Sequence, residues 1–260
     1  MKYLKNIVEK ELFRVTSLNG ISVLIKISIG FISSKVLAIF VGPSGMALVG
    51  NLRNFITSIE SLGTLGFQNG IIKYVAEYEN DEVRRKKLLS TSVICILAAI
   101  LLISGFLYFF SSYLNNEIFG SSFHYKSIFT VFALSLPWYL ASLFLMSVLN
   151  GLGDFKKVIK ITIYGNILGL ILSLLLIYHY QTLGALLSVI LAPAFLFFIV
   201  VFHVNAVVSF SKNFALKSFD FSIIKNLSQY SLMALVSSVF GPLVFLSIRN
   251  NVIDNLGIEK

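Results

Sequence analysis

Cysteine occurs once in the 260 residues, at Cys95, so neither an intramolecular disulfide nor a Cys-x-x-Cys metal site can be built from this chain. Histidine is nearly as scarce. His124, His179 and His203 are scattered over predicted loops and span ends, a spacing that predicts no metal centre. Charged residues make up only 13 %, against roughly a quarter in ordinary soluble domains. So few charges cannot cover the surface of a soluble protein of this length, which excludes a soluble enzyme as the leading reading. Acidic residues number 12, and Asp81, Asp154 and Asp220 fall in loops with no paired-carboxylate arrangement. There is no phosphate loop, no Gly-x-Ser-x-Gly and no His-Glu-x-x-His, so no catalytic role and no cofactor are expected.

What is present is apolar. Hydrophobic residues are 57 % of the chain and the mean hydropathy is +0.86. A bilayer core asks for about 20 mostly apolar residues per helix. Stretches 18–41, 46–68, 90–112, 127–149, 158–179, 182–206 and 229–248 meet that length. None alternates with a period of two, which excludes a barrel, and backbone groups in lipid must be paired within each segment. The predicted fold is therefore all-α: a polytopic membrane bundle of about seven transmembrane helices.

The net charge of +9 could suggest nucleic acid, so its distribution decides the matter. With the amino terminus inside, segments 1–17, 70–89, 150–157 with Lys160 just beyond, and 207–228 carry fifteen Lys and Arg. The outer loops carry one, Lys126. That asymmetry follows the positive-inside rule and directs the basic residues to anionic lipid, with no nucleic-acid partner. Residues 207–228 mix Phe, Ile and Lys, which suits an amphipathic connection on the membrane surface. The expected organisation is a six-helix lobe over 1–206, that connection over 207–228, and the first helix of a second lobe over 229–260.

Charge inside a span is costly, about 2.5–3.5 kcal/mol at mid-bilayer on insertion scales. Span two is the informative one. At 100° per residue Arg53, Thr57, Glu60 and Thr64 form one stripe, with Asn51, Asn54, Ser58 and Ser61 on the adjacent arc. Leu52, Phe55, Ile56, Ile59 and Leu62 complete the other half. Such a helix lines a water-filled space or meets other polar helices. Span one offers Asn19, Lys26 and Ser33 on one face, and span five offers Asn166 and Ser173. Structural ion pairing or snorkelling is the competing account of Arg53, Lys26 and Glu60.

Residues 40–78 read FVGPSGMALVGNLRNFITSIESLGTLGFQNGIIKYVAEY. This stretch resembles the polysaccharide-biosynthesis flippases, the O-antigen translocases of the multidrug/oligosaccharidyl-lipid/polysaccharide (MATE-like) superfamily. Gly42, Pro43, Gly45, Asn51, Arg53, Asn69, Gly70, Lys73, Tyr74, Val75 and Ala76 carry the likeness. Leu149–Lys157 is similar to the family's loop after helix four, and 227–242 to the start of its seventh helix. The resemblance implies a multi-pass protein of the bacterial inner membrane, with its amino terminus cytoplasmic. Such a protein moves an undecaprenyl-diphosphate-linked oligosaccharide, an O-antigen or related repeat unit, beside polysaccharide polymerase and glycosyltransferase partners. It implies Arg53 and Lys26 as diphosphate contacts and Asn51, Asn54 and Asn166 as sugar contacts. Glu60 is the candidate for ion coupling, and Arg249 for a substrate or structural role. The family has two lobes, so a truncated or paired form is expected here; a non-transporting scaffold of the assembly complex is the alternative.

Overall fold

The computed structural model describes residues 2–204 and 219–234, together with positions 236, 241 and 244. All secondary structure among them is helical, so the chain is an all-α, multi-pass membrane protein. The helices are α1 (Lys2–Phe40), α2 (Gly42–Gly63), α3 (Gln68–Glu77), α4 (Glu82–Phe109), α5 (Ser111–Phe119), α6 (Ser127–Gly151) and α7 (Phe155–Val204), followed by α8 over 221–234.

Local chemistry explains where these helices start and stop. Gly42 takes φ 72° and Pro43 opens the next helix, pairing a left-handed glycine with a proline at a helix start. The turn between α1 and α2 is therefore tight, with α2 beginning at Gly42 itself. Asp81 caps α4 by accepting the Arg84 amide at 3.0 Å. Span two, expected over 46–68, ends at Gly63. Leu65 at φ 54° and Gly66 at φ 65° cannot continue a right-handed helix, and the chain restarts as α3.

Among the described residues four helices are long and apolar enough to cross a membrane: α1 from Val15 onward, α4, α6 and α7. With 50 residues, α7 would span about 75 Å if straight, more than twice the roughly 30 Å core. It is instead two antiparallel arms that reverse at Gln181, which takes φ 48° and ψ −121°. Ser173 donates to Ser188 at 3.2 Å across the arms, and Gly169 lies opposite Ala192. A Cβ on Gly184 would overlap the Leu176 carbonyl, so only glycine fits beside this reversal. Spans five and six of the sequence reading are these two arms. The polar α2 does not reach the hydropathy of its neighbours, yet it packs alongside α1 and α7.

The core centres on α6, which packs against α3, α4, α5 and α7. Its Ile128, Phe129, Phe132, Leu136 and Leu140 are fully buried, and Phe55 of α2 meets the Phe129 ring edge-on at 5.8 Å. Lipid is itself apolar, so close packing rather than escape from water holds this helix in place.

Contacts define the two ends of the bundle. At one end Gly151 abuts Val75 and Ile72, and Lys87 pairs with Asp220 at 3.4 Å. This end carries Lys73, Arg84, Arg85, Lys86, Lys87, Lys156 and Lys157. At the other, Gly45 meets Thr182 and Phe40 meets Tyr178. There Tyr108, Phe109, Phe110, Tyr113, Tyr178 and Tyr180 stand exposed, in the manner of an aromatic belt at a membrane–water interface.

Candidate functional site

The apolar face of α2 (Leu48, Val49, Leu52, Ile56, Ile59) is buried, which turns Arg53 and Thr57 outward. The helix sits rotated from the expectation that Leu62 shares the apolar half. Leu62 is exposed and Ser61 is buried.

Arg53 faces a cavity of about 420 Å³ bounded by α1, α2 and both arms of α7. Ile29 and Ser33 come from α1, Thr162, Asn166 and Ser173 from the first arm, and Ser188 and Pro193 from the return arm. Among the described residues Arg53 is the single charged group in that lining, and it has no carboxylate neighbour there. Asn166 adds an unsatisfied donor: its Nδ2 is buried with no hydrogen-bond partner among the described residues. An uncompensated guanidinium beside an unpaired amide, in a wall otherwise of hydroxyls and alkyl groups, is suited to an anionic group with polar substituents.

The remaining candidates are placed differently. Lys26 is exposed on α1 and does not line the cavity, although it lies two turns from Ser33 on the same helix face. Asn51 is turned towards α5, where its amide donates to the Ile118 carbonyl at 3.0 Å. Asn54 is half-buried outside the lining, and its own carbonyl accepts the Ser58 hydroxyl at 3.3 Å. Arg249 and residues 205–218 of the surface connection lie outside the described residues.

Glu60 belongs to a second, smaller chamber of about 110 Å³ at the α2–α3 break. Thr57, Ser61, Thr64, Gln68, Asn69 and Ala234 line it with Glu60. Its carboxylate accepts the Tyr139 hydroxyl at 2.5 Å and the Gln68 amide at 3.4 Å. The Ser61 hydroxyl is buried there without a partner among the described residues. Sequence reasoning missed Tyr139 and Gln68, because one lies 79 residues from Glu60 and the other beyond a helix break. It also missed Thr162 and Ser188, which look like ordinary polar interruptions of apolar spans. Among the described residues no three His, Cys, Asp or Glu side chains gather as a metal site.

Known proteins share the family and the fold of this chain. The polysaccharide biosynthesis protein family matches residues 12–257. The Lipid III flippases of Escherichia coli K12 and Shigella flexneri are each 28 % identical over 233 residues, covering 88 % of this chain and 55 % of theirs. The chain thus spans about half the length of these curated relatives. A MOP superfamily transporter from Pyrococcus furiosus superposes with a TM-score of 0.70 at 17 % identity, covering 94 % of this chain and 56 % of that one. An outward-facing MATE family transporter gives 0.70 at 18 % identity, with 94 % and 57 % covered. At such identities the likeness is one of fold. With a family match over nearly its whole length and a MATE-like helical bundle, the chain belongs to the polysaccharide biosynthesis protein family.

Proposed function

We propose that this chain is the amino-terminal lobe of a flippase for lipid-linked oligosaccharide, with Arg53 gripping the diphosphate. It is a transporter component rather than an enzyme. The observation that carries the reading is that Arg53 and the amide of Asn166 line one cavity, neither with a charge or hydrogen-bond partner there among the described residues. A diphosphate supplies the charge that the guanidinium lacks, and Asn166, Ser33 and Thr162 can meet sugar hydroxyls. Lys26 extends the cationic track along α1, and Arg249 is assigned a substrate or structural role. Asn54 remains a candidate sugar contact, whereas Asn51 reaches substrate only by releasing Ile118.

The substrate is an undecaprenyl-diphosphate-linked repeat unit of O-antigen type, and the membrane is the bacterial inner membrane. The bundle end bearing Lys73 and Arg84–Lys87 faces the cytoplasm, as does the amino terminus. Glu60, held by Tyr139 and Gln68, serves ion coupling. Residues 1–206 form one lobe, 207–228 the connection, and 229–260 the start of a second. The second lobe, on the same or another polypeptide, covers α1, whose span is almost wholly uncovered here. Polysaccharide polymerase and glycosyltransferases are the proposed neighbours.

Complementation of a flippase-deficient strain with this lobe joined to a second lobe tests the reading. Arg53→Ala is expected to abolish surface polysaccharide at normal expression, with partial recovery in Arg53→Lys. Full activity of Arg53→Ala would remove the diphosphate role. Restored polysaccharide assembly without any substrate translocation would favour a scaffold.

A further inference from the structure

Two prolines interrupt the long helices, and the carbonyls they release meet different fates. Pro137 lies inside α6 and Pro193 inside the return arm of α7. Proline has no N–H, so the carbonyl four residues earlier loses its partner in the helical ladder. For Pro137 that carbonyl belongs to Ala133, and the Ser104 hydroxyl of α4 donates to it at 3.0 Å. For Pro193 it belongs to Val189, which receives no side-chain donor among the described residues. Val189 and Pro193 both border the larger cavity. A helical carbonyl points along the axis towards the residue four ahead, so the released oxygen lies on the cavity face.

The hydroxyls of the same wall are also left as acceptors. Thr162 donates to the Val158 carbonyl at 2.8 Å, Ser188 to the Ala185 carbonyl at 2.7 Å, and Ser173 to the Ser188 oxygen at 3.2 Å. Each hydroxyl has one proton, and all three protons are engaged within α7. These side chains therefore offer the cavity lone pairs alone. The lining is divided: Arg53 and the Asn166 Nδ2 donate, and the rest of the polar α7 wall accepts.

We propose that the Val189 carbonyl, bared by Pro193, recognises hydrogen-bond donors on the sugar of the substrate and gives the cavity a preference for a glycosylated over a bare lipid diphosphate. On the transport reading above, on which this inference rests, Arg53 holds the diphosphate. A diphosphate carries acceptors and has nothing to give the α7 wall. A sugar beside it carries hydroxyls, or the N–H of an acetamido group, and each supplies the proton that the wall lacks. A backbone carbonyl suits this role, because the helix fixes its direction and no rotamer has to be ordered. It is tolerated at membrane depth because it lines a cavity. A ligand that leaves such an acceptor unpaired is disfavoured, which is the physical source of selectivity.

The test measures binding of undecaprenyl diphosphate, bare or carrying one N-acetylhexosamine, to the complete transporter in detergent. The wild type is expected to bind the glycosylated lipid about tenfold more tightly, the size of one net hydrogen bond. Pro193→Ala restores an N–H to the ladder and so engages the Val189 carbonyl. It is expected to melt no lower than the wild type, because proline disfavours a helix interior, and to lose most of the preference through weaker binding of the glycosylated lipid. An undiminished preference in Pro193→Ala would overturn the proposal. Because that substitution also straightens the arm, Thr162→Val removes an acceptor of the same wall at nearly constant shape. It should narrow the preference as well, and discrimination equal to the wild type would overturn the accepting wall. Arg53→Ala separates this inference from the reading beneath it, since it should weaken both lipids alike. If neither lipid responds to Arg53→Ala, the diphosphate reading fails; a sugar preference that survives there and disappears in Pro193→Ala leaves the Val189 site standing.

Discussion

Tyr139 on α6 donates its hydroxyl hydrogen bond to Oε2 of Glu60 on α2 across 2.5 Å, joining the helix at the centre of the core to the helix that carries Arg53. Glu60 Oε1 accepts from Gln68 across the helix break at the longer distance of 3.4 Å. Tyr139 is therefore the main donor to a carboxylate inside the membrane. Tyr139→Phe should destabilise the protein by about 1–3 kcal/mol, the usual consequence of leaving a buried charged acceptor short of a donor. Glu60→Gln should lose less, because its amide oxygen still accepts from Tyr139. Unfolding in detergent, followed by circular dichroism, compares the two.

The reversal of α7 depends on Gly184, where a Cβ would overlap the Leu176 carbonyl. Gly184→Ala cannot be accommodated by a side-chain shift alone, because the obstacle is backbone. The expected result is a loss of folded protein in the membrane, read by fluorescence-detected size exclusion. Gly169→Ala faces only Ala192 at 3.4 Å, an ordinary contact, and should behave nearly as wild type.

Asn166 keeps in the cavity wall an Nδ2 that is unpaired among the described residues, a feature that weakens the fold and is suited to binding. Asn166→Leu should leave the melting temperature unchanged or raise it, while lowering complementation. A parallel loss of both would mean that the amide supports the structure.

Ser222 holds the Asp220 carboxylate through its hydroxyl and its amide, and Lys87 adds to this, lowering the Asp220 pKa below the usual 3.8. A depressed carboxylate pKa contributes stability above its unfolded value, and this is lost as pH falls through the folded one. The melting temperature in detergent should therefore be highest near neutral pH and fall as pH drops below about 4. That fall should be smaller in Asp220→Asn. Lys73 has the opposite sign: the Tyr230 hydroxyl raises its pKa above 10.5, so its contact with Tyr230 is complete below that pH and fades as pH rises through the folded value.

Orientation is checked with single thiols in the Cys95→Ser background. Glu79→Cys, at the basic end, should label only after the membrane is made permeable. Ser121→Cys, between α5 and α6, should label in intact cells with the outer membrane permeabilised. The reverse pattern would invert the topology drawn from the Lys and Arg count.

Apolar runs of about 20 residues were enough to find α4, α6 and both arms of α7, because lipid leaves the backbone little alternative to a helix. Span two was legible as a polar helix but not as a broken one. Its end depends on Leu65 and Gly66 adopting positive φ, and a leucine gives no such signal in sequence. Arg53 and Asn166 were both recognisable as costly groups within spans. That they share one cavity, while Asn51 turns to Ile118 and Glu60 to Tyr139, depends on how α2 rotates against α6 and α7. No periodicity within α2 encodes that rotation.

Composition and pattern alone determined the solvent, the helical class and the asymmetry of charge, since each follows from local free energies of burial in lipid. Tertiary structure decided which polar groups remain unsatisfied. Packing the apolar face of α2 into the core selects its partners, leaving Arg53 in the wall of one cavity with no carboxylate there among the described residues, and seating Glu60 beneath Tyr139 in another.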